Sequence, residues 1–204
     1  MCIRDSTMSE PTTQSEERTT LVYDDDGLGR PPWAMSSPML KEYYDTEWGL
    51  PIFDEAGLYE RLSLESFQSG LSWAVVLKKR EAFRAAFSNF DPDKVAQFGE
   101  ADVERLLGDA SIIRNETKIR AAINNAKATI ALREEGGLAE FIWAYQPPEN
   151  LYPTVMEDIP KKSYESKLMS RELKKKGFRF VGPVSYTHLT LPTKRIVWKS
   201  VGVD

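Results

Sequence analysis

Between Glu116 and Glu135, Ile119, Ala122, Ile123, Ala126 and Ile130 recur on one face at helical spacing, and Gly136-Gly137 follows at once. A run of that period and length is a long helix seeking partners for an apolar stripe, and it sets the grammar of the chain. The same punctuation recurs on both sides. Pro38 opens a short helix through Lys41, Tyr43 and Tyr44 that ends near Gly49 and Pro51. Asp54 is a good N-cap for a helix running to about Ser69, with Gly70 as its stop. Ser72 caps the next helix, which carries Val76, Phe83, Ala86 and Phe87. Asp91-Pro92 starts another, residues 100–107 carry Val103, Leu106 and Leu107, Leu138 to Tyr145 is a further short helix, and 163–176 is a basic helix halted by Gly177. No stretch alternates as a strand with hairpin turns, so the fold class is all-α: a compact multi-helix domain.

Residues 1–29 are poor in apolar side chains and rich in Ser, Thr, Asp and Glu. Such a segment cannot bury enough surface to offset its ordering entropy, so 1–29 is expected to be a disordered acidic tail and 30–183 the folded domain. The segment 184–204, with Ser185-Tyr186-Thr187-His188-Leu189-Thr190-Leu191, lacks a helical stripe. It resembles an adapter-derived end, as does Met1-Cys2-Ile3-Arg4-Asp5-Ser6, and is read as non-native; a natural C-terminal strand is the alternative.

The formal net charge is -4, which alone argues against a nucleic-acid partner, but the bases are clustered, above all at Lys78-Lys79-Arg80 and Arg84. The lone cysteine, Cys2, and lone histidine, His188, both lie outside the patterned region. That excludes disulfides and cysteine or histidine nucleophile chemistry in the core, and it leaves no soft metal site there. No apolar run approaches the ~20 residues of a membrane span, and the N-terminus lacks a hydrophobic signal core, so a cytoplasmic protein is expected.

Chemistry concentrates between Leu64 and Trp73. On a helix starting at Asp54, Leu58, Leu62 and Glu65 share one face, an odd place for a carboxylate. Two readings fit: a rim acid reaching water or pairing with Arg61, or an acid built into a pocket. The tryptophans Trp33, Trp48 and Trp73 have two readings as well, as core packing or as faces for a flat, electron-poor or cationic ligand. Leu71, beside Gly70, is either an interior leucine or an exposed one on a turn that glycine sharpens.

Four blocks occur in order: Tyr43-Tyr44-Asp45-Thr46-Glu47-Trp48-Gly49; Glu65 to Trp73 with Lys78-Lys79-Arg80; Asp109 to Lys118; and Gly177-Phe178-Arg179-Phe180-Val181-Gly182. Together they resemble the DNA-3-methyladenine glycosylase I family of the helix-hairpin-helix superfamily. The resemblance implies hydrolysis of the N-glycosidic bond of 3-methyladenine in alkylated double-stranded DNA by base flipping, with no cofactor and acting as a monomer. It implies catalytic roles for Glu65 and Tyr43, and base binding by Trp73, Gln68, Trp48 and Trp33. For DNA it implies Gly70 and Leu71 as the wedge, with Lys78, Ser111, Arg114 and Lys118 on the duplex. Ser111 stands where the family commonly has glycine. The family's frequent zinc site would need metal ligands where this chain has Pro31 and Tyr44, so no metal is expected. A non-catalytic helix-hairpin-helix DNA-binding module is the alternative; mere duplex binding needs none of Glu65, Tyr43 and Trp73.

Overall fold

The computed structural model describes residues 21–146 and 163–182. Among them are nine α-helices: α1 (Pro38–Thr46), α2 (Glu55–Gln68), α3 (Trp73–Lys78), α4 (Arg80–Ala86), α5 (Pro92–Val95), α6 (Glu100–Gly108), α7 (Glu116–Leu132), α8 (Gly137–Trp143) and α9 (Tyr164–Lys175). The all-α expectation holds, and α2 and α5 start at the caps read for them, Asp54 and Asp91, with Ser37 capping α1 before Pro38. Ser37 Oγ accepts from Leu40 N ahead of α1, Asp54 Oδ1 accepts from Gly57 N at 2.6 Å, and Asp91 Oδ1 accepts from Asp93 N at 3.0 Å. Each bond satisfies an N–H that the first turn leaves unpaired.

The long helix α7 is more deeply embedded than a single stripe implies. Ala121, Ala128 and Leu132 are buried along with Ile119, Ala122, Ile123 and Ala126, and so are the polar Asn125 and Thr129. A helix buried along most of its length belongs in the middle of a domain, and α7 packs against α2, α5, α6 and α8. Ring contacts of Phe67, Phe83, Phe87 and Phe90 fill the space between α2 and α4.

Two expectations need correction. The helix read as continuous from Ser72 through Phe87 breaks at Lys79, whose ψ of 1° separates α3 from α4. Lys79 Nζ meanwhile donates to Ala110 O at 3.2 Å and Ser111 O at 2.7 Å, so the break faces the loop before α7. The acidic segment is also ordered further forward than expected. A two-stranded hairpin, β1 (Val22–Tyr23) and β2 (Gly29–Arg30), pairs Val22 with Arg30 and Tyr23 with Gly29. Its acids meet cations: the buried Arg30 guanidinium spans Asp26 at 2.6 Å and Asp45 of α1 at 2.8 Å, and Lys41 pairs with Asp24. The rest of the expected tail, the Pro147-Pro148 loop, His188 and the segment 184–204 lie outside the described residues.

Candidate active site

Residues Leu62 to Phe67 are all buried, so the last turns of α2 run through the interior and carry Glu65 with them. Glu65 is 4% exposed and lines a cavity of about 640 Å³ with Gln68, Leu71 and Phe180 among its walls. Its place on the cavity wall fits the pocket reading of this acid. Arg61, the alternative partner, directs Nη1 to the Tyr43 hydroxyl at 2.5 Å and Nη2 to Glu47 at 3.5 Å. Arg80 reaches the same Glu47 carboxylate at 2.6 Å.

Tyr43, on α1, is 4% exposed and has Trp73 beside it, ring centroids 5.5 Å apart. Burial pushes the Tyr43 phenol up to about 12, with Arg61 opposing and the nearby Glu65 charge adding to the rise. It is therefore a neutral hydrogen-bonding group at physiological pH. The Arg61 guanidinium carbon stands 5.3 Å from the Tyr43 ring and 5.7 Å from the Trp73 ring, within cation–π range. Trp73 Nε1 is buried without a hydrogen-bond partner among the described residues. Trp33 and Trp48 belong to the neighbouring wall. Trp48 stacks on Tyr44 at 5.2 Å and Trp33 meets both edge-on. Neither these three nor Tyr43 and Trp73 are among the residues lining the Glu65 cavity; Trp73 lines a separate, smaller one of about 150 Å³ with Arg61, Arg80 and Glu47.

The zinc ligand set is not reproduced. Pro31 has no donor to offer, and Tyr44 is buried with its ring stacked on Trp48. Among the described residues no group of three or more His, Cys, Asp or Glu side chains is placed to hold a metal ion.

The turn after α2 has the conformation that its glycine allows. Gly70 sits at φ +84°, and Leu71 is 42% exposed at the edge of the Glu65 cavity. Lys78 and Arg114 are exposed and form no ion pair among the described residues. Ser111, where the family commonly has glycine, does not adopt a positive φ. Asp109 Oδ1 instead accepts from its N–H at 2.8 Å and from its hydroxyl, which holds the Asp109 carboxyl below its usual range. Ile113 and Arg114 keep backbone N–H groups with no acceptor among the described residues.

Lys118 departs from expectation. It is 8% exposed, and its Nζ donates to Phe67 O at 3.0 Å and Ser69 O at 2.6 Å. It braces the turn from inside, and its ammonium faces carbonyls instead of solvent. Nothing in its sequence neighbourhood signals this, because the carbonyls come from α2 and the turn after it. Arg61 and Phe180 were likewise not singled out as functional, although Arg61 stands one helical turn before Glu65 and Phe180 belongs to the fourth block.

The profile of the family described as methyladenine glycosylase matches residues 33–190. The chain is 44% identical to DNA-3-methyladenine glycosylase 1 of Escherichia coli (strain K12) over 153 residues, 74% of this chain and 82% of that one. It is similar to the crystal structure of a 3-methyladenine DNA glycosylase I, with a TM-score of 0.73, 40% identity, and coverage of 78% of this chain and 89% of that chain. A structure of the Staphylococcus aureus 3-methyladenine DNA glycosylase I, concerned with 3-methyladenine recognition, gives a TM-score of 0.71 at 33% identity, covering 78% and 93%. By profile, sequence and fold, the chain belongs to the methyladenine glycosylase family.

Proposed function

We propose that Glu65, Tyr43, Gln68 and Trp73 carry the base recognition by which this enzyme excises 3-methyladenine from alkylated DNA. The reaction is hydrolysis of an N-glycosidic bond. The bond between the sugar C1′ and the base nitrogen breaks, its electron pair leaves with the base, and water adds to C1′ and releases a proton. Methylation has already placed positive charge on the base, so the leaving group is good before the enzyme acts. What remains is to extract the base and to recognise its charge.

The observation that carries this reading is the burial of Glu65 in the wall of a cavity large enough for a purine nucleotide. A buried carboxylate on the cavity wall favours a ligand that is cationic and carries hydrogen-bond donors. An alkylated adenine offers both, whereas neutral adenine lacks the charge. Tyr43, neutral and held by Arg61, supplies a fixed hydroxyl, and the Trp73 face suits the flat ring. Gly70-Leu71 presents an apolar wedge for the space left in the duplex. Lys78, Arg114 and the free N–H groups before α7 suit phosphates. One chain supplies all of these parts, so a monomer suffices, and the cytoplasm is where this reading places it. Among the described residues no helix is long and apolar enough to cross a membrane.

The test is release of free 3-methyladenine from methylated duplex DNA by wild type and by Glu65→Gln. Release should fall at least about tenfold in the variant, since a hydrogen bond to a charged group contributes ~1.5–3 kcal/mol. Equal release would remove Glu65 from the chemistry.

A further inference from the structure

The segment 177–182 lines the Glu65 cavity through Phe180, Val181 and Gly182, and side chains from three helices pin its backbone. Asn124 Nδ2 of α7 donates to Gly177 O at 2.7 Å. Asn125 bonds both the carbonyl and the N–H of Arg179, at 2.9 and 2.7 Å. Ser66 Oγ of α2 donates to Phe180 O at 3.1 Å, and Ser170 Oγ of α9 donates to Val181 O at 3.0 Å. Within this fixed strap Phe180 holds a φ of +55°, left-handed backbone that an aromatic residue rarely adopts. The residue is nonetheless 46% exposed and is among those lining the cavity that Glu65 and Gln68 also line, with Leu71 on the same rim.

A strained residue persists when its surroundings over-determine it, and such residues gather at functional sites. Packing does not explain this one. A half-exposed phenylalanine adds little to the core, and glycine would occupy the same backbone without strain. The strap thus accepts a conformational cost whose visible result is an aromatic face beside the base-reading acid. We infer that Phe180 is a base-contacting residue of the glycosylase, an aromatic surface additional to Trp73 that the extruded purine meets while Glu65 and Gln68 meet its edge. This rests on the pocket reading of Glu65 given above.

Titration of the folded protein with free 3-methyladenine, followed calorimetrically, tests it alongside thermal unfolding. Phe180→Ala should weaken binding about tenfold, as loss of a base-stacking ring does elsewhere. Phe180→Tyr, which keeps the ring, should stay within about twofold of wild type. Phe180→Gly should weaken binding as Ala does, yet melt at the same temperature as wild type or higher, because the left-handed strain is relieved. A purely structural Phe180 would give the opposite pairing, lower melting with unchanged affinity, and would overturn the inference. Glu65→Gln serves as the control for the pocket itself. If it weakens binding while Phe180→Ala does not, the Phe180 inference alone fails. If neither variant changes affinity, the pocket reading fails and takes this inference with it.

Discussion

Lys118 Nζ donates to Ser69 O at 2.6 Å and to Phe67 O at 3.0 Å, so the first turn of α7 holds the last residues of α2 in place one position before Gly70. Its burial lowers the ammonium pKa. Lys118→Met keeps the stem's bulk but strands two carbonyls, each worth ~1–3 kcal/mol when buried without a donor. A melting temperature lower by several degrees is expected. The slope of log Kd against log salt for duplex binding should not change, because this ammonium faces carbonyls. A slope reduced by about one would return Lys118 to a phosphate.

Arg114 and Lys78 are expected to behave in the converse way. Both are exposed and without an acidic partner among the described residues. Replacing either with alanine should leave stability within about 0.5 kcal/mol and lower the salt slope by ~0.9. A salt titration of duplex affinity that shows no change for either would take these two side chains off the backbone path.

At Gly70 nothing lies within 4 Å of an added Cβ, so the glycine answers only to its φ of +84°. Gly70→Ala should cost ~1–2 kcal/mol of stability or shift the turn, since left-handed backbone penalises any Cβ. Leu71→Ala should be nearly neutral for folding while reducing excision from duplex DNA, with affinity for free 3-methyladenine retained. Chemical unfolding and duplex excision measured side by side separate the two. Leu71→Ala with undiminished excision would mean that Leu71 is no wedge.

The Tyr43 phenol predicts an alkaline weakness. Below pH 10 it is neutral in both folded and unfolded chains, and its contribution is fully present. Between pH 10 and about 12 the unfolded chain ionises while the buried phenol resists, so stability falls as pH rises through this window. Tyr59, also raised by burial, adds to the same loss. Urea unfolding at pH 9 and pH 11 should show a smaller drop for Tyr43→Phe than for wild type. An identical drop would mean that Tyr43 titrates normally.

Most helix starts were legible because caps act locally: Asp54 and Asp91 satisfy N–H groups two or three residues away. The acid at position 65 was legible for the same reason, as a polar break in a local apolar face. What escaped the sequence depends on partners far along the chain. Lys79 and Lys118 look like members of a solvated basic set until the carbonyls of 110–111 and 67–69 are placed beside them. The acids of residues 24–26 look like a tail until Arg30 and Lys41 fold back onto them. Phe180 sat in a block already noted, but its strain belongs to the backbone and leaves no mark on composition.

Arg61 beside both the Tyr43 and Trp73 rings alters where selectivity must reside. These rings already hold a guanidinium against them before any base arrives. With Arg80 nearby and Glu47 shared between the two arginines, the cluster carries an excess of one positive charge that Glu65 cancels. An incoming cationic purine therefore enters a site balanced on a single carboxylate. On the proposed reading, the aromatic surfaces measure flatness and width, and the sign of the ligand falls to Glu65. Neutralising that one group would turn the cavity from a receptor for alkylated bases into one that repels them.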